Sequence, residues 1–574
     1  MLFSKQIAAG LMVSLCLCAQ GSSVYAQTPP VALPGSTDPG RLGGAPQMPS
    51  LDDQKKTATP DRPPTQSGDV VIPGAEAVFF TLVDLKIEGM EAYEPGHFLA
   101  DYIGLIGKPV TLQQVIDVVN HINATYREDG YIFSRAFLPE QDITAGVVKV
   151  QVVEATIDTV SMPEVSAEKF LKLKPYVDKI AAVRPFNINK YEHWLLSLNQ
   201  LPGARFRSVL RQPTDKGAQP GSIEIALLED KLPGETTVEL NNFGSRYAGP
   251  VQANLMHEQP RLFGDYDKAT LRLSTTIPME EVKYGQLGYE TPVMQIPGLS
   301  FNMSLGWGGT VSGSNLDPLD VKGFVKDAHF GLSYAALLSR RTSWLAYLNF
   351  DMKNARSKIL GEELYDDRLR VLRASSSVQH VDDWNGATIA SAELSQGLDI
   401  MGARESGSFN LSREDGRSDF TKITAQISRL QSLPHAFQLL AQVSGQYAFS
   451  PLLSAEEFGH GGVPNGRGLD PSELTGDHGI SAMVELRYNG LPAWKDVSVQ
   501  PYAFFDFGKV WQKGDDVENA ESALTAGVGS RVEIKEAVSL NMLMAVPLTY
   551  SADNPPKYAN GESPRYLLSV SRRF

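Results

Sequence analysis

The chain has 574 residues, a formal net charge of −14 and only 21% charged residues. That charge content is too low for a mainly disordered chain, and the acidic balance argues against a dedicated nucleic-acid binder, which needs a basic face. After the first 20 residues there is no run of about 18 apolar residues, the length a spanning helix needs, so a polytopic helical membrane protein is excluded. In chain order, Met1 to Ala26 comes first: Lys5, an apolar stretch from Ile7 to Cys18, then small and polar residues ending Val24-Tyr25-Ala26. This reads as a secretory signal peptide cleaved after Ala26. The stretch is short for a membrane anchor. Cys16 and Cys18 each follow a leucine, a poor context for a lipoprotein signal. Cleavage removes both cysteines of the chain. Disulfides, thiol chemistry and Cys-type zinc sites are then excluded from the mature protein. Residues 27–76 hold ten of the 36 prolines with Gly, Ser and Thr, and predict a linker or disordered segment.

Two small α/β modules are expected next, over 77–157 and 158–232. Thr81 to Gly89 alternates and ends in a glycine turn, as a strand does. Leu112, Val115, Ile116, Val119, Ile122 and Tyr126 share one face of a helix that Gly130 stops. Ile132 to Leu138 and Val147 to Val153 read as strands. In the second module helices are expected near Glu168 to Ile180 and Ile188 to Leu198. Strands near Ala204 to Leu210 and Ser222 to Leu228 complete it. All these apolar residues read as core packing, and no catalytic constellation stands among them.

From 233 to 574 the period is two. Ala269, Leu271 and Leu273 oppose Lys268, Thr270 and Arg272. Phe437, Leu439, Ala441, Val443 and Tyr447 oppose Gln438, Gln442, Ser444 and Gln446. Ile480, Ala482, Val484 and Leu486 oppose Ser481, Glu485 and Arg487, and later segments to Phe574 continue the series. A soluble β-sandwich also alternates. Segments of about 10 residues, full charges on the polar face and a terminal aromatic favour a transmembrane barrel instead. About 340 residues at roughly 21 per strand and loop predict an all-β barrel of about 16 antiparallel strands.

Motifs for chemistry are mostly absent. No Walker-type loop, H-E-x-x-H or G-x-S-x-G occurs, so no cofactor, metal or enzymatic activity is expected. His460 and His478 flank one loop without evident metal partners. Glu362-Glu363 and Asp366-Asp367 read as a solvated acidic loop. One segment differs: Phe458 to Leu469 is glycine-rich around a single arginine, Arg467. Glycines let a loop fold back sharply, and arginine pairs bidentately with a carboxylate. On the strand Val497 to Gly508, alternation puts Gln500, Tyr502, Phe504, Asp506 and Gly508 inside. Asp506 is thus a lumen acid that an inward-folded loop could reach; an ordinary extracellular loop is the alternative.

The chain resembles the outer-membrane transporters of two-partner secretion, the haemolysin/filamentous-haemagglutinin secretion-activation family of the POTRA-barrel superfamily. The run Tyr126-Arg-Glu-Asp-Gly-Tyr-Ile-Phe-Ser-Arg to Asp142 is similar to the family's first POTRA domain, and Leu198 to Gly203 to its second. Asn242 to Gly249 and Phe263-Gly-Asp265 resemble the start of its barrel. The family's barrel pairs a loop arginine-glycine motif with an aspartate of the F-x-D-x-G type. Gly466-Arg467-Gly468-Leu469 and Phe504-Phe-Asp506-Phe-Gly508 match those places, with Asn-Gly before the arginine and Leu469 where an aromatic is common. The resemblance implies periplasmic POTRA modules that capture an unfolded partner exoprotein and a barrel that conducts it to the surface. It implies that Arg467 and Asp506 clasp the loop to the lumen. Outer-membrane lipid is a further partner. So is the barrel assembly machinery, with Phe574 as its C-terminal signal; nucleic acid is not. The alternative is an assembly factor of the same superfamily that inserts many barrels. A plug helix, frequent in the family, has no amphipathic candidate in 27–76.

Overall fold

The computed structural model describes residues 33–42, 69–213, 217–492, 494–514, 520–535, 537–551 and 564–574. The expected signal peptide lies outside them.

The first module is a three-stranded sheet under one long helix. Its sheet runs Asp84–Glu88, Val147–Val153, Arg135–Phe137, the first pair parallel and the second antiparallel. The helix Leu112–Glu128 starts on a capping box: the Thr111 hydroxyl accepts from the Gln114 N–H while the Gln114 side chain accepts from the Thr111 N–H. Its predicted apolar stripe, Val115, Ile116, Val119, Ile122 and Tyr126, is buried against the sheet. The strand expected over Thr81 to Gly89 is broken. Phe79–Thr81 pairs instead with Pro109–Thr111, and the Leu82 and Val83 N–H groups donate to Lys108 and Gly146 carbonyls. The strand expected from Ile132 shrinks to Arg135–Phe137, because Ile132 is drawn into the second module's core. Asn123 is buried and bonds both backbone groups of Ala136, at 2.9 and 2.7 Å.

The second module repeats the plan. Its sheet is Thr156–Ser161, Ser222–Lys231, Ala204–Arg211, covered by helices Ala167–Ala181 and Ile188–Leu198. Leu173, Ile180, Phe186, Leu195, Phe206 and Leu227 form the core between them.

From Glu235 to Arg573, sixteen strands close into one antiparallel barrel. The outward set is apolar and exposed: Leu287, Leu305, Phe324, Ile480, Val484, Val528, Tyr566 and Leu568 are all more than one-third exposed. Such a belt is stable only against lipid. The inward set is charged and largely buried by its own neighbours, including Arg373, Lys422, Glu485, Arg487 and Asp506. Among the described residues no helix is long and apolar enough to span a membrane. The helix Ile188–Leu198 docks the second module on one rim. His193 Nδ1 accepts from the Leu338 N–H at 3.0 Å, and Arg340 pairs with Glu192 at 2.8 Å.

One further expectation needs correction. Glu362 to Asp367 is no solvated loop but the start of the eighth barrel strand, Glu362–Val381. Asp366 and Asp367 are buried there, with the Ser412 N–H donating to Asp367 at 3.0 Å, because the loop after the ninth strand folds over them. Of the expected linker 27–76, only residues 33–42 and 69–76 lie among those described. Gly35–Thr37 and Pro39–Arg41 form two 3-10 turns against the inner wall. The Tyr365 hydroxyl donates to Asp38 at 2.8 Å, and Lys353 donates to the Gly40 carbonyl at 2.7 Å.

Candidate functional site

The eleventh barrel strand, Phe437–Ala448, and the twelfth, His478–Tyr488, leave the barrel at the rim opposite the modules. The loop between them turns inward instead of outward. It descends through a short ribbon, Phe458–His460 paired with Leu474–Gly476. Gly466 sits at φ +97, a conformation that suits glycine, and a Cβ there would strike Gly461 and His460. This tight return delivers Arg467 to the wall.

Arg467 is 3% exposed and fully engaged. Its Nη2 and Nε donate to the two Asp506 carboxylate oxygens at 2.7 and 3.0 Å. Nη1 donates to Glu485 at 2.6 Å. The backbone N–H groups of Gly466 and Arg467 also donate to Asp506, at 3.2 and 3.0 Å. The guanidinium lies over the Phe504 ring, 3.4 Å from its centroid. Alternation along Val497–Trp511, the thirteenth strand, supplies Phe504 and Asp506 together, since both face inward. Gly508, two residues further, has no room for a side chain: a Cβ would fall within the His460 imidazole. Gly468 backs onto Thr525 with about the closest approach a Cβ allows, 3.0 Å. Leu469 is buried with Leu474, Val510 and Ala523, so an aliphatic residue fills the pocket at the loop tip. Phe574 lies elsewhere: it is exposed, and its backbone pairs with Thr236 at 2.9 and 3.3 Å where the barrel closes.

Two features were not legible beforehand. Glu485 stood among the lumen charges, yet it is the hub of three arginines: Arg467, Arg487 at 2.7 Å and Arg531 at 2.8 Å. The second is Glu456, at the base of the loop. It is buried between Arg373 on the eighth strand and Lys422 on the tenth, both at 2.7 Å. Sequence offers no signal for it, because the eighth and tenth strands that hold these cations lie far away in the chain. The loop is therefore tied to the inner wall at two places, the eighth and tenth strands at its base and the twelfth and thirteenth near its tip. The strap of residues 33–42 joins it as well, with Arg41 donating to the Ser454 carbonyl at 2.7 Å. His460 bonds Ser481 at 3.0 Å. Among the described residues no cluster of metal-ligating side chains forms.

A sixteen-strand barrel with an apolar outside, a charged and loop-filled lumen, and α/β modules on one rim is an outer-membrane transporter. The chain belongs to the family of the haemolysin secretion/activation proteins ShlB/FhaC/HecB, whose model matches residues 222–532. A second model, the ShlB-type POTRA domain, matches residues 80–155, the first module. The protein is thus a secretion transporter of the bacterial outer membrane, with its POTRA region in the periplasm. It is 22% identical over 512 residues to the heme/hemopexin transporter protein HuxB of Haemophilus influenzae, covering 86% of each chain. It is 23% identical over 468 residues to the outer membrane transporter CdiB of Dickeya dadantii, covering 78% of this chain and 79% of that one. The structure of CdiB from Escherichia coli superposes with a TM-score of 0.73 at 16% identity, over 89% of this chain and 94% of that one. CdiB from Acinetobacter baumannii gives 0.64 at 16% identity, over 91% and 96%. These two likenesses establish the fold.

Proposed function

We propose that the transporter conducts one unfolded partner exoprotein through its lumen, and that the Arg467–Asp506 clasp holds the loop in the position conduction requires. The observation that carries this reading is the loop itself. A loop arginine buried with two carboxylates of the lumen wall is a costly arrangement for a passive pore. The second module is read as a second POTRA domain, and 77–157 with 158–232 as the capture region. The edge strand Ala204–Arg211 suits β-augmentation by an extended chain, main chain to main chain, beyond Phe206, whose backbone the Asn199 side chain already pairs. The protein acts as a conduit and not as a catalyst: the buried charges around the loop, Arg467, Asp506, Glu485 and Glu456, are spent on ion pairs that hold it. Folding of the passenger outside the cell supplies the drive. Outer-membrane lipid covers the apolar belt, and the barrel assembly machinery inserts the chain with Phe574 as its terminal signal.

The test is mass spectrometry of culture supernatant and outer membrane, with and without the gene. Loss of one large exported protein, other barrels unchanged, supports the proposal and names the passenger. A broad fall in many outer-membrane proteins would make the chain an assembly factor instead.

A further inference from the structure

The barrel closes by pairing its last strand, Arg565–Arg573, with its first, Glu235–Asn241. This is the shortest of the sixteen pairings: five register positions, Ser569 to Arg573 against Asn241 to Thr237, whereas the others span seven to eighteen. The Thr236–Phe574 backbone pair extends it at the module end. At the other end the first strand has stopped, and Arg565 to Leu568 run past it. Asn242 continues the ladder: its backbone N–H and its side chain bond Leu568 at 3.1 and 2.7 Å, and its amide donates to the Tyr566 carbonyl at 2.9 Å. Beyond Tyr566 the joint depends on side chains.

There the inward loop reappears. Asp470, three residues after Arg467 and fully buried, stands between two arginines that come from opposite sides of the joint. Arg565 belongs to the last strand and reaches one Asp470 oxygen at 3.3 Å. Arg246 belongs to the connection after the first strand and reaches the other at 3.3 Å. Arg565 also donates to the Leu469 carbonyl and, at 3.1 Å, to the Gly244 carbonyl across the joint. Arg246 continues to Glu473 of the same loop at 3.5 Å. Without the carboxylate, Arg246 keeps Glu473 and Arg565 keeps two carbonyls, but the buried charge that joins the two sides is gone.

We infer that Asp470 is a staple: through it the inward loop fastens the outer end of the joint between first and last strands. The loop then has two jobs on one turn. Arg467 holds it to the wall, and Asp470 uses that position to keep the barrel's weakest pairing shut. Undocking the loop and loosening the joint become one event.

The test uses the full chain with Cys16→Ser and Cys18→Ser, folded in detergent, and reads the temperature at which the compact, fast-migrating gel form is lost. Asp470→Asn should lower it by roughly 5–10 °C. Arg246→Gln, which leaves the Asp470–Arg565 pair intact, should lower it by less, and it serves if Asp470→Asn fails to fold. The decisive arm is a short bis-thiol linker across the joint, between Leu240→Cys and Val570→Cys, which sit opposite each other and outward. It should restore the Asp470→Asn variant to the parent temperature. The same linker between Leu287→Cys and Leu305→Cys, opposite each other on the fourth and fifth strands, should not. An Asp470→Asn variant that melts with the parent would overturn the staple. So would equal rescue by both linkers, which would mean general stiffening.

Discussion

Arg467→Ala removes two side-chain hydrogen bonds to Asp506, one to Glu485, and the contact over Phe504. Breaking a buried ion pair by deleting one partner costs about 3–5 kcal/mol. The lower end applies here, because the carboxylates are not left bare. Glu485 keeps Arg487 and Arg531, and Asp506 keeps Thr525 at 3.4 Å. About 3 kcal/mol is a shift of roughly a hundredfold in the ratio of docked to undocked loop. That cost falls on the loop. The strand ladders of the barrel lose no hydrogen bond, so the protein should still insert and still migrate as a compact form at room temperature. Secretion of the partner should fall strongly, and surface protease should cut between 461 and 473 in the variant but not in the parent. Arg467→Lys keeps the charge but not the fork that spans both acids, and should lie between. The double variant Arg467→Ala/Asp506→Ala should be less damaging than the sum of the singles, because the second change removes the stranded acid. Parental secretion by Arg467→Ala, with the loop demonstrably cleaved, would refute the argument. A strictly additive double variant would refute the pairing as its physical basis.

Gly508→Ala should act like Arg467→Ala without touching a charge, since its methyl displaces His460 and with it the loop; protease sensitivity of the loop in an otherwise heat-modifiable barrel is the check. Glu456→Gln leaves Lys422 only the Glu456 carbonyl and weakens Arg373, so the loop base should become cleavable; combined with Arg467→Ala its effect should add, as the two anchors share no partner. Docking of the second module should depend on pH. Burial pushes the His193 imidazole below its ordinary 6.5, and its Nδ1 accepts from Leu338. A group with a depressed basic pKa is neutral when docked, so docking is fully supported above about pH 6.5 and weakens as pH falls below it. Label-to-label distance between helix Ile188–Leu198 and the rim, measured at pH 7.5 and 5, should lengthen; His193→Gln, which keeps an acceptor, should remove the dependence.

Much of this was readable from the chain because it rests on local rules. Period-two alternation fixed which faces of the strands are apolar, and the exposed belt of Ile480, Val484, Tyr566 and Leu568 follows it. The same rule put Phe504 and Asp506 on one face of their strand, and glycines around Arg467 marked a loop that folds sharply. The stripe from Val115 to Tyr126 and the stop at Gly130 set the first long helix. What alternation could not decide is which distant residues meet. Glu456 finds Arg373 and Lys422 only because the loop folds back inward over the eighth and tenth strands, which alternation along one strand does not foretell. Asp470 bridges Arg246 and Arg565 only because first and last strands become neighbours. The proline-rich stretch reads as linker because its composition builds no core of its own; residues 33–42 gain order from Tyr365, Lys353 and the loop, partners that exist only once the barrel is shut. Residue type and spacing therefore determined most strands and their faces, and left the inward fold of the Arg467 loop open. The inward fold of the loop and, for Asp470, closure of the barrel decided the company the buried charges keep, because ion pairing depends on distance in space and a strand carries no record of its distant neighbours.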